Sequence, residues 1–342
     1  MSGAEATTRQ LAEELHQALA RLIEPGTEIA YVNFPNIGNL GDSAIYAGAR
    51  PALDRVGAKV VLACEPRAYR RQLVRRAVGE RGTIVIHGGA NFGDIYGKQP
   101  QQTVRRRLLR HFPKARVIQL PQTIYFSDPS RSAKFIELCR DHQGLTILAR
   151  DQVSVERAGE LGLETSLAPD LAFGLGPLDR PRDPSTEVTW IVREDVEAAR
   201  APGSVDPAAR DWPTGAEQRA GTTGAGLRRD LALVRGLNRL RERAPVRLRL
   251  PIARAAAARY EPIASRRVRI ALEMIAEGRV LVTDRFHGHL LACLMGIPNV
   301  LLDNSYGKNR GLFDTWTDRY EIAKFADDPA TARELARSLG AS

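Results

Sequence analysis

Cysteine, tryptophan and methionine occur only three times each in the 342 residues. Cys64, Cys139 and Cys293 stand far apart, with no CxxC pair and no Cys/His cluster. A disulfide framework and a structural zinc site are therefore both unsupported, and no metal is expected. No apolar run reaches the roughly 18 residues that a membrane-spanning helix needs. The opening segment is charged and amphipathic and lacks the apolar core of a signal peptide, so the expected location is cytoplasmic, touching at most the inner face of a membrane. Lysine is scarce, with 6 against 44 arginines. Neither a short fixed repeat nor an aromatic stacking platform is evident, so nucleic acid is not an expected partner.

What is present is ordinary globular material: 43% hydrophobic and 26% charged residues, which excludes wholesale disorder and fibrous classes. The length predicts two domains. The net charge of +10 suits an acidic small substrate, a lipid phosphate surface or nucleic acid and does not by itself choose among them. Arginine favours planar, two-pronged contacts to carboxylate and phosphate.

Along the chain, helical and strand patterns alternate. Residues 8–24 read as a helix. Strands are expected at 28–34, 58–63, 83–87, 116–119 and 145–149, and helices at 42–56, 66–78, 101–112 and 153–161. A proline-rich segment, 177–186, reads as a linker. A second series follows: strands at 187–192, 246–250, 279–283 and 299–302, with helices at 227–242, 262–277 and 287–295. The expected fold is α/β, with two Rossmann-like doubly wound domains, 1–178 and 179–342, facing a cleft. Residues 201–226 lack periodicity. They read either as a mobile lid or as a disordered insertion.

In open α/β sheets ligands sit beyond the carboxyl ends of strands, so the loops there carry the candidates. Asn39 and Asp42 lie in a glycine-rich strand-to-helix turn whose helix N-terminus can receive an anion. His87, Asn91 and Asp94 lie in a second glycine-rich segment, where His87 can bond a sugar hydroxyl or a phosphate. Gln122 and Thr123 follow the next strand and can direct hydrogen bonds at hydroxyls. Asp151 reads as a helix cap, and Asp170 as an interface or hydroxyl-binding group. Arg193 stands where a cation is unfavourable unless an anion is present, while Asp195 and Glu197 complement a helix dipole. The sharpest feature is Thr283-Asp284-Arg285-Phe286-His287-Gly288-His289. Arg285 and His287 are two apart in an extended turn, suited to a dianion carrying phosphate and carboxylate. Lys308, in a polar loop after the last buried strand, can close over a phosphate.

These segments, in this order, resemble the polysaccharide pyruvyl transferase family from about residue 30 to residue 320: NIGNLGDSAI (36–45), HGGANFGD (87–94), LPQT (120–123), ARDQVS (149–154), APDLAF (168–173), REDVE (193–197), TDRFHGHLLACLMGIP (283–298) and DNSYGK (303–308). Where the family usually has a third glycine, this chain has Ala90. The resemblance implies a GT-B-like fold, phosphoenolpyruvate as co-substrate with no further cofactor, and a sugar or lipid-linked oligosaccharide of an exopolysaccharide as acceptor. It places Arg193, Arg285, His287 and Lys308 on phosphoenolpyruvate and Asn39, His87, Asn91 and Gln122 on the acceptor. His287 is the expected general acid, with Arg285 beside it, and Asp42 or Asp94 the expected base. If the acceptor is lipid-linked, the basic helices at 66–76 and 104–110 face acidic headgroups; a solvated surface explains them equally well. The alternatives are a glycosyltransferase or epimerase acting on a nucleotide sugar, and a non-catalytic glycan-binding protein.

Overall fold

A computed structural model describes residues 2–341 except 98, 214, 216 and 221. Eleven strands form among the described residues: β1 Glu28–Val32, β2 Lys59–Cys64, β3 Thr83–Ile86, β4 Gly89–Gly93, β5 Arg116–Tyr125, β6 Leu145–Ala149, β7 Thr165–Leu167, β8 Thr186–Ile191, β9 Gly278–Thr283, β10 Asn299–Leu302 and β11 Ala323–Ala326. The first seven make one parallel sheet, ordered β2-β1-β3-β5-β6-β7, with β4 added beside β5. The last four make a second parallel sheet, ordered β11-β10-β9-β8. Helices cover both, as parallel strands with continuous apolar runs require. On the second sheet, Val280, Val282 and Val300 pack with Ala332 and Ala336 of the helix Pro329–Gly340, while Leu281 and Leu301 join Leu290 and Leu291 in a separate cluster.

Three expectations need correction. Residues 246–250 are not a strand: they open the helix Val246–Ala257. The Val-Arg-Leu-Arg-Leu alternation satisfies a strand period over five residues. The alanines that follow prefer a helix, however, and Ala253 and Ala256, three apart, form its buried face. The segment Leu120–Thr123 is not a turn after a strand, because β5 runs through it to Tyr125. Pro121 is accommodated where the β5–β6 register shifts between Gln119 and Gln122, the kind of irregularity at which a strand tolerates proline. The glycine-rich segment after His87 is likewise a short strand. A Cβ on Gly88 would lie 2.7 Å from the Pro121 carbonyl oxygen, so only glycine lets the backbone approach this closely.

The helices Thr222–Arg243 and Tyr260–Ile275 belong to the second half of the chain but return to the first sheet. Leu227, Val234, Tyr260 and Ile263 share a buried cluster with Ile29, Tyr31 and Phe34. Among the described residues no helix is long and apolar enough to cross a membrane.

Candidate active site

A cavity of about 200 Å³ lies where residues beyond the carboxyl ends of the two sheets meet. On the second-sheet side, β8 and β9 deliver Arg193 and Arg285 into it. Thr283 Oγ1 donates to the Ile191 carbonyl (2.5 Å) and accepts from the Arg285 N–H (3.0 Å). Asp284 Oδ1 accepts from the Arg193 N–H (2.8 Å), tying one strand end to the other. Burial pushes the Asp284 carboxyl up to about 6, against the pull of that N–H.

The cations here are already held by carboxylates. Arg193 donates Nε and Nη2 to Asp195 (2.8 and 3.0 Å) and Nη1 to Glu197 (2.8 Å). Arg285 grips Asp211 through Nε and Nη2 and reaches Asp195 at 3.2 Å. Glu197 is the hub. Besides Arg193, its Oε2 accepts from Lys308 Nζ, from Asn304 (3.0 Å) and from Tyr306 (3.2 Å), and its Oε1 accepts from Tyr96. Burial opposes the Asp195 charge, but the Arg193 bond and the Arg285 charge hold that carboxyl down at about 2. Burial also lowers Lys308 to about 8, against the raising effect of Glu197. Arg285 lines the cavity, and its Nη1 makes no hydrogen bond among the described residues.

His287 sits in the first turn of the helix Phe286–Leu294. Its Nε2 lies 3.4 Å from Asp170 Oδ2, without the alignment of a hydrogen bond. Burial lowers the imidazole below its ordinary pKa, and Asp170 opposes this. Asp170 in turn accepts from Arg150 Nη1 at 2.6 Å, both side chains being buried. Burial works against the Asp170 charge, but His287 and Arg150 more than offset it and hold the carboxyl well below the usual range. Gly41 lies against the other side of the ring, where a Cβ would come 2.8 Å from His287 Nδ1.

The first-sheet wall is mostly uncharged. Asn39 caps the helix Leu40–Arg55 by accepting from the Gly41 N–H (2.9 Å), and it lines the cavity. Asn91 also lines it, and its Oδ1 accepts from Arg105 Nη2 (2.7 Å) and Gln122 Nε2 (3.2 Å). Asp42 faces the cavity with no hydrogen bond or ion pair among the described residues, and burial pushes its carboxyl up to about 7.

The sequence-predicted residues thus separate. Arg193, Arg285, His287, Lys308, Asp42, Asn39 and Asn91 all line one cavity. His87 does not. It is fully buried among Tyr31, Phe34 and Tyr46, bonded through Nδ1 to the Tyr31 hydroxyl (2.6 Å), and lowered to about 3 by burial. Gln122 is buried behind Asn91 and bonds the His87 carbonyl (3.0 Å), so it positions rather than lines. Asp94 is spent on the neighbouring loop, accepting from the Ser127 N–H (2.7 Å) and hydroxyl (3.0 Å) and the Asp128 N–H (3.0 Å). His289 is also structural, held between Asn299 and Thr317 (2.8 Å). Asp151 is the helix cap its position suggests.

Several residues were missed or misread. Glu197 complements no helix dipole, since residues 193–197 form no helix. Asp211 and Trp212 come from the segment expected as a lid or as disorder. Its residue Arg210 instead pairs with Ile191, and the Trp212 ring stands 5.9 Å from the Arg285 guanidinium. The one signal was an acid and an aromatic inside a Gly/Pro/Ala-rich stretch. Among the described residues no group of three or more His, Cys, Asp or Glu is arranged to hold a metal ion.

Residues 39–306 match the profile of the family described as polysaccharide pyruvyl transferase. A Bacillus subtilis (strain 168) protein named "Putative pyruvyl transferase EpsO" is 30% identical over 303 residues, 88% of each chain. "Pyruvyl transferase 1" of Schizosaccharomyces pombe is 28% identical over 84% of this chain and 69% of its own. The crystal structure of the uncharacterized protein KP1_0663 from Klebsiella pneumoniae superposes with a TM-score of 0.61 at 17% identity, covering 93% of this chain and 98% of that one. That likeness concerns the fold alone, an α/β architecture of parallel sheets flanked by helices, consistent with a Rossmann-like arrangement. With its match spanning both sheets and their shared cavity, the chain is a transferase enzyme that belongs to the polysaccharide pyruvyl transferase family.

Proposed function

We propose that the enzyme transfers the enolpyruvyl group of phosphoenolpyruvate onto a sugar of a surface glycan or exopolysaccharide, as a cyclic ketal, with release of phosphate. The observation that carries this reading is the meeting, in one cavity, of Arg193, Arg285, Lys308 and His287 with Asp42 and Asn91. A small dianion suits the second-sheet wall. Arg285 Nη1 and the open N–H groups of the helix Phe286–Leu294 remain for it, and the pairing carboxylates hold the cations in place before it arrives.

In the reaction, His287 gives a proton to the methylene carbon of the donor, which becomes the methyl group. The donor's negative charge raises the imidazole from its depressed resting value. A sugar hydroxyl attacks the central carbon and loses its proton to Asp42. The carbon–oxygen bond to phosphate breaks, with Arg285 and Lys308 stabilising the departing group. A second hydroxyl then attacks the same carbon and closes the ring, returning a proton to His287, while Asp42 hands the first hydroxyl's proton to the departed phosphate. Asp42, close to 7, is poised as the base. The neutral amides of Asn39 and Asn91 suit a sugar.

The test is incubation with labelled phosphoenolpyruvate and a panel of glycans and lipid-linked oligosaccharides, reading phosphate release and the mass of the product. A pyruvate ketal is expected, and His287→Ala should nearly abolish it. Turnover of nucleotide sugars in its place, or near-normal turnover by His287→Ala, contradicts the reading.

A further inference from the structure

The helix Thr222–Arg243 and the start of the helix Val246–Ala257 present an unusual outer face. Leu233 at 43% and Leu240 at 54% exposure stand in solvent on the first helix; Val246 and Leu248 are also exposed on the second but, two apart, point to different sides of it. Leu233 and Leu240, seven apart, fall on one line of the helix. Beside that line stand Arg229, four before Leu233, and Arg243, three after Leu240, with Arg239 farther round the helix; all three are exposed and make no ion pair among the described residues. The face has one exposed acid, Glu242, and Arg70 neutralises it at 2.8 Å. Isolated exposed leucines need no explanation, but a leucine line edged by unpaired arginines is the pattern of a helix lying in a bilayer interface.

The two basic helices expected to face headgroups do not share this pattern. In the helix Arg71–Val78, Arg71 and Arg75 pair with Glu80. In the helix Pro100–His111, Arg105 is buried on Gln119 (2.8 Å) and Arg106 covers the Phe135 ring, and although Arg107 and Arg110 are exposed, Leu108 and Leu109 of that helix are buried.

The face also communicates with the active site. A groove of about 410 Å³, walled by Arg235, Arg239 and Asn238, reaches Asn36 and Arg67. Those two residues also wall a groove of about 320 Å³ that ends on Ile37, Gln99 and Gln101, which line the catalytic cavity.

We propose that this face docks the enzyme on an anionic lipid bilayer, inserting Leu233 and Leu240 between headgroups while the unpaired arginines beside them meet lipid phosphates, with the groove leading from the membrane to the active site. Charge complementarity selects the occupant: unpaired cations around an apolar line match an anionic interface and repel a second copy of the same surface. The proposal does not depend on which donor the enzyme uses, and its test reads binding alone.

The experiment is co-sedimentation of the full-length protein with vesicles of phosphatidylcholine, or of phosphatidylcholine with about one-third phosphatidylglycerol. The protein should sediment with the anionic vesicles and not with the neutral ones. Arg239→Glu with Arg243→Glu should weaken binding at least about ten-fold. Leu233→Ser with Leu240→Ser, which keeps every charge, should weaken it about ten-fold as well. An unchanged thermal unfolding midpoint checks that the exposed substitutions leave the fold intact. Equal sedimentation with both vesicle types, or no binding to either, overturns the proposal. So does full binding by the leucine variant, which would mark a non-specific cationic surface that takes nucleic acid equally well.

Discussion

One wall of the cavity is dense with ion pairs; the other is mostly amides and apolar groups, with Arg150, paired to Asp170, and Asp42 as its charged side chains among the described residues. On the second-sheet side Arg193, Arg285 and Lys308 are buried or nearly so, and each is matched by Asp195, Asp211 or Glu197. On the first-sheet side Arg105 and Gln122 hold the Asn91 carboxamide, and Asp42, which faces the cavity, makes no hydrogen bond or ion pair among the described residues. The difference has a physical cause. A charged donor needs fixed, desolvated cations, and such cations fold into place only when carboxylates neutralise them. A neutral sugar needs amides held by a supporting layer, and one carboxylate left unpaired so that burial can raise its pKa.

The contrast is broken most severely at Arg285. Arg285→Ala removes the free Nη1 and leaves Asp211 uncompensated, so the rate of phosphate release should fall about 10³-fold. Steady-state phosphate detection reads this, and loss of less than ten-fold would remove Arg285 from the donor site. Next comes Asp42→Asn, for which a loss of about 10²-fold is expected. The rise in kcat/KM through about pH 7 should vanish with it. The same substitution should act oppositely on stability. With its folded pKa raised to about 7, Asp42 holds a proton in the native state that the unfolded chain has lost above about 4, so stability declines as pH rises across that window. Urea unfolding should show Asp42→Asn more stable than the parent at pH 8 and nearly equal at pH 4.

Smaller effects sharpen the other wall. Gln122→Ala removes a support of Asn91, so KM for the glycan should rise about ten-fold while KM for the donor stays put. Initial-rate kinetics with each substrate varied separate the two. Asp94→Ala should leave turnover unchanged and cost about 1 kcal/mol of stability through the lost loop bonds, read by chemical denaturation.

Much of this was legible in the sequence. Strand-end positions brought Arg193, Arg285 and His287 to one cavity, although the helix expected after Arg193 does not form and only β9 leads into one. Asp42 was legible for the same topological reason. His87 and Asp94 were misplaced because a glycine-rich segment reads as a loop, whereas His87 still pairs with β1 through the Val32 carbonyl and its ring bonds Tyr31, and Asp94 is taken up by the loop at Ser127. Asp211 and Trp212 were invisible because their role comes from the pairing of Arg210 with Ile191, a contact with no local period. Glu197 was misread because its partners Tyr96, Asn304 and Lys308 are distant in the chain. Long-range charge pairing leaves little trace in a single sequence.

The most direct test of the ion-paired wall is a calorimetric titration of phosphoenolpyruvate into the parent protein, Arg285→Ala and Gln122→Ala. Saturable binding by the parent and Gln122→Ala, lost in Arg285→Ala, is the expected result. Equal binding by all three would contradict a donor site built on that wall.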